Sequence, residues 1–131
     1  MGARVHRTEA MIAGMAPRLQ PGLWAFHTVD AAALTPDLLA RAAGAFREEE
    51  GLSLILPAAP GEALAMAQIT LQVHSALDGV GLTAAASGAL AAEGIPANVV
   101  AANHHDHIFV PAEMAEAALR ALTALAAEHA T

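Results

Sequence analysis

The sequence predicts an α+β fold of antiparallel sheets with helices on one face, and three observations carry that prediction. Residues 68–74, QITLQVH, alternate apolar and polar side chains with the period of a half-buried strand. A glycine-bearing, alanine-rich helical stretch follows, and after it two short apolar runs flank the polar turn Asn103-His104-His105-Asp106. The front half repeats the order strand, helix, strand, strand, helix, so two small units are expected, 1–67 and 68–131.

Each element has its own justification. Residues 3–6 suggest a short edge strand. Thr8–Met15 predicts a helix, with Thr8 placed to cap it and Met11, Ile12 and Met15 sharing one side. Two prolines and a glycine between Pro17 and Gly22 end it. Leu23–Val29 is a strand with apolar residues on both faces, which predicts a central position or cover on both sides. Pro36 opens a short helix after the loop that begins at Asp30. Glu48-Glu49-Glu50 are expected in a solvated turn before Gly51. Leu52–Leu56 is the next strand, and Pro57–Ala67 a turn into a short helix.

In the second half, the strand at Gln68–His74 buries Ile69, Leu71 and Val73. Ser75 and Asp78 stand where a helix cap is wanted, because their oxygens can accept backbone N–H groups, and Gly79 and Gly81 let the chain bend there. The helix runs through Leu82, Ala86 and Leu90 to Gly94, with Pro96 just beyond. Ala97–Ala102 and Ile108–Val110 form a hairpin. Pro111 opens the last helix, whose apolar positions Ala115, Ala118, Leu119, Leu122, Leu125 and Ala126 recur at three and four, while Glu113, Glu116 and Arg120 face water. Glu116, four residues before Arg120, is placed to pair with it. The order is βαββα; one added strand makes it the split βαβ, ferredoxin-like unit (βαββαβ).

Bulk properties exclude several classes. Hydrophobic residues make up 56% of the 131, yet aromatics only 3%, so the core is expected to be thin and closely packed. A net charge of −7 with six basic residues argues against a nucleic-acid groove. The absence of cysteine removes any disulfide framework or thiolate site and fits a reducing cytoplasm. Charge interrupts the opening MGARVHRTEAMIAG, so no signal-peptide core is expected, and no apolar run reaches the ~18 residues of a membrane helix. A cytoplasmic protein without a nucleic-acid or membrane partner is expected.

The second half resembles an ACT domain, the amino-acid-sensing module of aspartate kinases and related enzymes. PGLWAFHTV, FREEEGLSLIL, ITLQVHSALDGVGLTAAASGALAAEGIPANVVAA and HDHIFVP, in that order, extend the likeness. The whole chain is similar to a bacterial family of small stand-alone tandem ACT-like proteins with no established biochemical role. The resemblance implies ferredoxin-like units, a homodimer assembled through sheets or helices, binding of an amino acid, and regulation without catalysis.

The preferred site is the connection Ser75–Thr83. A helix mouth with two glycines offers N–H donors and a partial positive charge, which suits a carboxylate or phosphate. Carried over by position from ACT modules, Ser75, Asp78, Gly79, Val80, Gly81, Leu82 and Thr83 would line the pocket, with Asp78 near the ligand ammonium and Asn98 adding an amide contact. Set against this, Ser75 and Asp78 can serve as helix caps alone. The letters GVGLTA match a dinucleotide fingerprint, but no acid follows about 20 residues later and too little chain remains for a doubly wound sheet. No cofactor is expected. His104-His105-Asp106-His107 offers imidazole and carboxylate types that suit zinc or nickel, although polar residues collect in hairpin turns anyway. His27 and His74, on strands, are expected to be packed or hydrogen-bonded. Glu48–Glu50 allow contact with a partner subunit or a ligand ammonium. A metal-binding protein and a purely structural interaction module are the alternatives.

Overall fold

A computed structural model describes residues 8–73 and 80–130. Helix α1 (Thr8–Ala13) leads to strand β1 (Pro17–Leu19) and β2 (Trp24–Val29). After a 3-10 turn at Ala31–Ala33 come α2 (Pro36–Arg41), β3 (Gly44–Glu48), β4 (Gly51–Pro57) and β5 (Met66–Leu71). The remainder is α3 (Leu82–Ala92), β6 (Asn98–Ala101), β7 (Asp106–Pro111), a 3-10 turn at Ala112–Met114, and α4 (Ala115–Glu128). Contacts group the chain into a larger unit, Met1–Pro21 with Ala67–Thr131, and a smaller one, Gly22–Met66.

The larger unit has the strand order β1-β5-β7-β6. β1 lies antiparallel to β5, pairing Pro17 with Leu71 and Leu19 with Ile69, and β6 lies antiparallel to β7. The fourth strand that βαββα lacks is therefore supplied by β1, from the other end of the sequence. Ala67, Ile69, Leu71 and Val73 bury one face against α1, α3 and α4, with Met11, Met15, Leu90, Ile108 and Leu122 among the side chains that close the core. The apolar spacing predicts the buried residues of both helices: Met11 and Ile12 on α1, and Ala115, Ala118 and Leu122 on α4; Met15, expected on the first helix, is buried in the connection after α1 ends at Ala13.

Helix α3 ends in a Schellman motif. Ile95 N–H bonds the Leu90 carbonyl at 3.0 Å and Gly94 N–H the Ala91 carbonyl at 2.9 Å. Gly94 has φ +71°, a left-handed conformation that favours glycine. Leu90 and Ile95 are both buried, so the chain reversal also closes the core.

The smaller unit pairs β3 with β4 and β4 with β2, and Met66 at the head of β5 with Trp24. Thr35 caps α2, its Oγ1 accepting from Leu38 N–H at 3.1 Å with Pro36 in the first turn.

Several expectations are corrected. No helix forms between Pro57 and Met66: a turn at Pro60-Gly61 and another at Ala63-Leu64 lead directly into β5. β2 is central, as one of the two expected alternatives had it, with β4 on one edge and Met66 pairing with Trp24 on the other; it is not covered on both faces, since Phe26 is 46% exposed and His27 and Thr28 are exposed. Glu48 belongs to β3, leaving Glu49 and Glu50 as the turn. Pro111 ends β7, and α4 starts only after the 3-10 turn. The edge strand proposed at 3–6 and residues 74–79, with His74, Ser75, Asp78 and Gly79, lie outside the described residues.

Candidate functional site

The mouth of α3 is the first candidate. Its cap is Gly81, at φ +100°, with no side-chain cap bond, whereas Ser75 or Asp78 was expected in that role. The cap residue thus supplies no oxygen to the first-turn N–H groups, which have no partner within the helix itself. Thr8 Oγ1 donates to the Val80 carbonyl at 2.5 Å, tying α1 to the chain just before the cap. The fit is close: a Cβ on Gly81 would stand 2.7 Å from Thr8 Cγ2.

The predicted residues divide here. Val80 is 74% exposed and Thr83 is exposed, so both can meet a ligand. Leu82 is 4% exposed and belongs to the core. The phase of the helix decides this, because Leu82 shares a face with Ala86 and Leu90. Asn98 is exposed and pairs with Phe109, while its neighbour Val99 packs on the core. Asn98 therefore lies on the sheet face turned away from the helices.

A second candidate stands in the smaller unit. A cavity of about 750 Å³ opens between the connection that follows β2 and the β3–β4 hairpin, lined by Asp30, Leu34, Arg47, Glu49, Glu50 and Leu52 among others. Two of the acids around it are engaged: Asp30 Oδ1 accepts from Ala32 N–H at 3.0 Å, and Glu48 accepts from the Ser53 hydroxyl. Arg47 adds a cation. The cavity has the size of a small-ligand site and carries both signs of charge, as a zwitterion requires. Like the α3 mouth, which lies between β5 and α3, it follows a strand and precedes a helix, here β2 and α2. FREEEG was the sequence signal, but only the hairpin register shows that Arg47 and the acids share one concavity.

His107 and His27 are held by hydrogen bonds to neighbouring side chains. His107 Nδ1 accepts from Gln68 Nε2 at 3.1 Å and lies 3.0 Å from Thr70 Oγ1, itself buried. Burial, then the neighbouring His105, push the His107 pKa down, and Asp106 offsets this in part. The rings of His105 and His107 are 6.4 Å apart. Among the described residues no three His, Asp or Glu side chains gather closely enough to hold one metal ion. His27 Nε2 meets Glu62 Oε1 at 2.8 Å, a hydrogen-bonded role as expected for a strand histidine. No described helix is long and apolar enough to cross a membrane.

A model of the ACT domain matches residues 64–124, and a second ACT-domain model matches residues 6–71. Their overlap holds β5, whose Met66 pairs with β2 and whose Ile69–Leu71 pair with β1. No curated protein matches the chain. Among solved structures, the Vibrio cholerae protein VC0802, of unknown function and described as a possible transport protein, is 41% identical, with a TM-score of 0.74 over 87% of this chain and 92% of that one. The Agrobacterium tumefaciens protein Atu0741 shares the fold at 20% identity, with a TM-score of 0.64 over 84% of this chain and 87% of that one. ACT domains are small-molecule-binding regulatory modules with a ferredoxin-like fold, regulatory rather than catalytic as families. With ACT models matched across both halves of its sequence, the chain belongs to the ACT domain family.

Proposed function

We propose that this protein is an amino-acid-binding sensor that acts as a homodimer in the cytoplasm and performs no catalysis of its own. The chain is read as two ACT-like units, 1–67 and 68–131. The observation that carries the reading is a cavity of about 750 Å³ with charges of both signs at the strand-to-helix connection of the smaller unit. The connection Ser75–Thr83 is the matching site of the second segment. There the ligand carboxylate would meet the amides opening α3, beside Val80 and Thr83, and its ammonium would meet Asp78. In the smaller unit, Arg47 would take the carboxylate and Glu49 or Glu50 the ammonium.

A thermal-shift screen against the twenty amino acids tests this. A ligand that binds only the folded state at 100 times its Kd adds about 2.7 kcal/mol of stability. Two exposed substitutions then place the site. Arg47→Ala removes the cation of the smaller unit. Thr83→Glu puts an anion at the α3 mouth, where it favours the helix but repels a carboxylate. Loss of the shift in one variant only assigns the ligand to that site. No shift with any amino acid contradicts the proposal.

A further inference from the structure

The exposed side of the α3–α4 pair is unusual for a helical surface in water. α3 reads LTAAASGALAA and carries no charged residue on any face, although Thr83, Ala84, Gly88, Ala91 and Ala92 are exposed. A surface helix normally turns charged and polar residues outward. Between α3 and α4 runs a groove of about 570 Å³, lined chiefly by alanines with Gly88 and Leu125, and edged by Glu93, Arg120 and Glu128. Arg120 makes no ion pair among the described residues, so the expected pair with Glu116 does not form.

The spacing on α4 supplies what the groove lacks. Arg120, Ala124 and Glu128 stand at i, i+4 and i+8, on one exposed ridge, and all three line the groove. If a second α4 crosses antiparallel with a twofold axis at Ala124, residues four before and four after the axis meet. Arg120 of each copy then faces Glu128 of the other, with the small Ala124 at the close approach. Each charge sits about 6 Å along the helix from the axis. The pattern is self-complementary, as a twofold interface requires.

We propose that this face is an interface between two copies of the chain, with α4 of each copy lying in the α3–α4 groove of the other and Arg120–Glu128 pairs closing both ends. The inference rests on the dimer of the preceding section and names its surface. The uncharged side of α3 then packs against the partner's α4.

Sedimentation equilibrium of the full chain tests it through four proteins: wild type, Arg120→Glu, Glu128→Arg and the double exchange. All these positions are exposed, and circular dichroism checks that each variant is folded. The wild type is expected to be a dimer. Each single reversal sets like charges against each other and is expected to weaken the dimer at least tenfold, and the double exchange is expected to restore it. A monomeric wild type overturns both this interface and the proposed dimer. A dimer that ignores both reversals overturns this interface alone. Single losses without rescue overturn the register centred on Ala124.

Discussion

Met11→Ala tests whether the N-terminal helix is part of the larger unit's core. Met11 is 0% exposed and packs with Ile12, Met15 and the side chains of α3 and α4. Truncating a fully buried methionine removes its transfer free energy and leaves a cavity, at a cost of about 3 kcal/mol. For a domain of this size that lowers Tm by about 12 °C. Phe46→Ala is the control: Phe46 is larger, but it is 74% exposed, and its removal should change stability by no more than about 0.5 kcal/mol. Urea unfolding followed by circular dichroism measures both. The core assignment of α1 is refuted if Met11→Ala costs no more than Phe46→Ala.

Other expectations follow from particular contacts. Gly81→Ala and Gly94→Ala both put a Cβ on a left-handed residue, which costs about 1 kcal/mol or somewhat more. At Gly94 nothing lies within 4 Å, so strain is the whole effect, whereas at Gly81 the new atom also meets Thr8 at 2.7 Å. Gly81→Ala should therefore be the more destabilising by urea unfolding; the reverse order would contradict the tie between α1 and the α3 mouth. His107 makes stability depend on pH. Its folded pKa is lowered by burial and by His105, so on acidification the unfolded chain takes up the proton first. This contribution is complete above the unfolded value of about 6.5 and declines as pH falls from there toward the lowered folded value. Chemical unfolding at about pH 7.5 and 5.5 should show that loss, and His107→Gln should reduce the difference between the two conditions. An unchanged difference would show that other groups carry it.

Much of the fold was legible because periodicity reports which face an element buries. The alternation at Ile69, Leu71 and Val73, and the three-and-four spacing along α4, lead to the buried faces directly. β1 was not legible, since three residues led by a proline carry no strand signal; pairing with Ile69–Leu71 makes them a strand. The exposure of β2 was hidden for a different reason. Apolar letters show that a strand could be covered, and tertiary structure decides whether it is. At the α3 mouth the glycines marked the bend, but helix phase, set by where Gly81 stops the turn, put Leu82 into the core. In the smaller unit the acids were visible as a run. Their enclosure with Arg47 and Asp30 depends on strand register, which a single sequence does not state.

The central claim is that the strand-to-helix connections hold an amino acid, and an amide NMR titration tests it most directly. The uniformly 15N-labelled protein would be titrated with each amino acid that raises Tm. The account predicts saturable shifts concentrated at Val80–Ala84, at Asp30–Leu34 with Arg47–Gly51, or at both. If no amino acid moves any amide, or if the shifts fall away from both connections, the claim is contradicted.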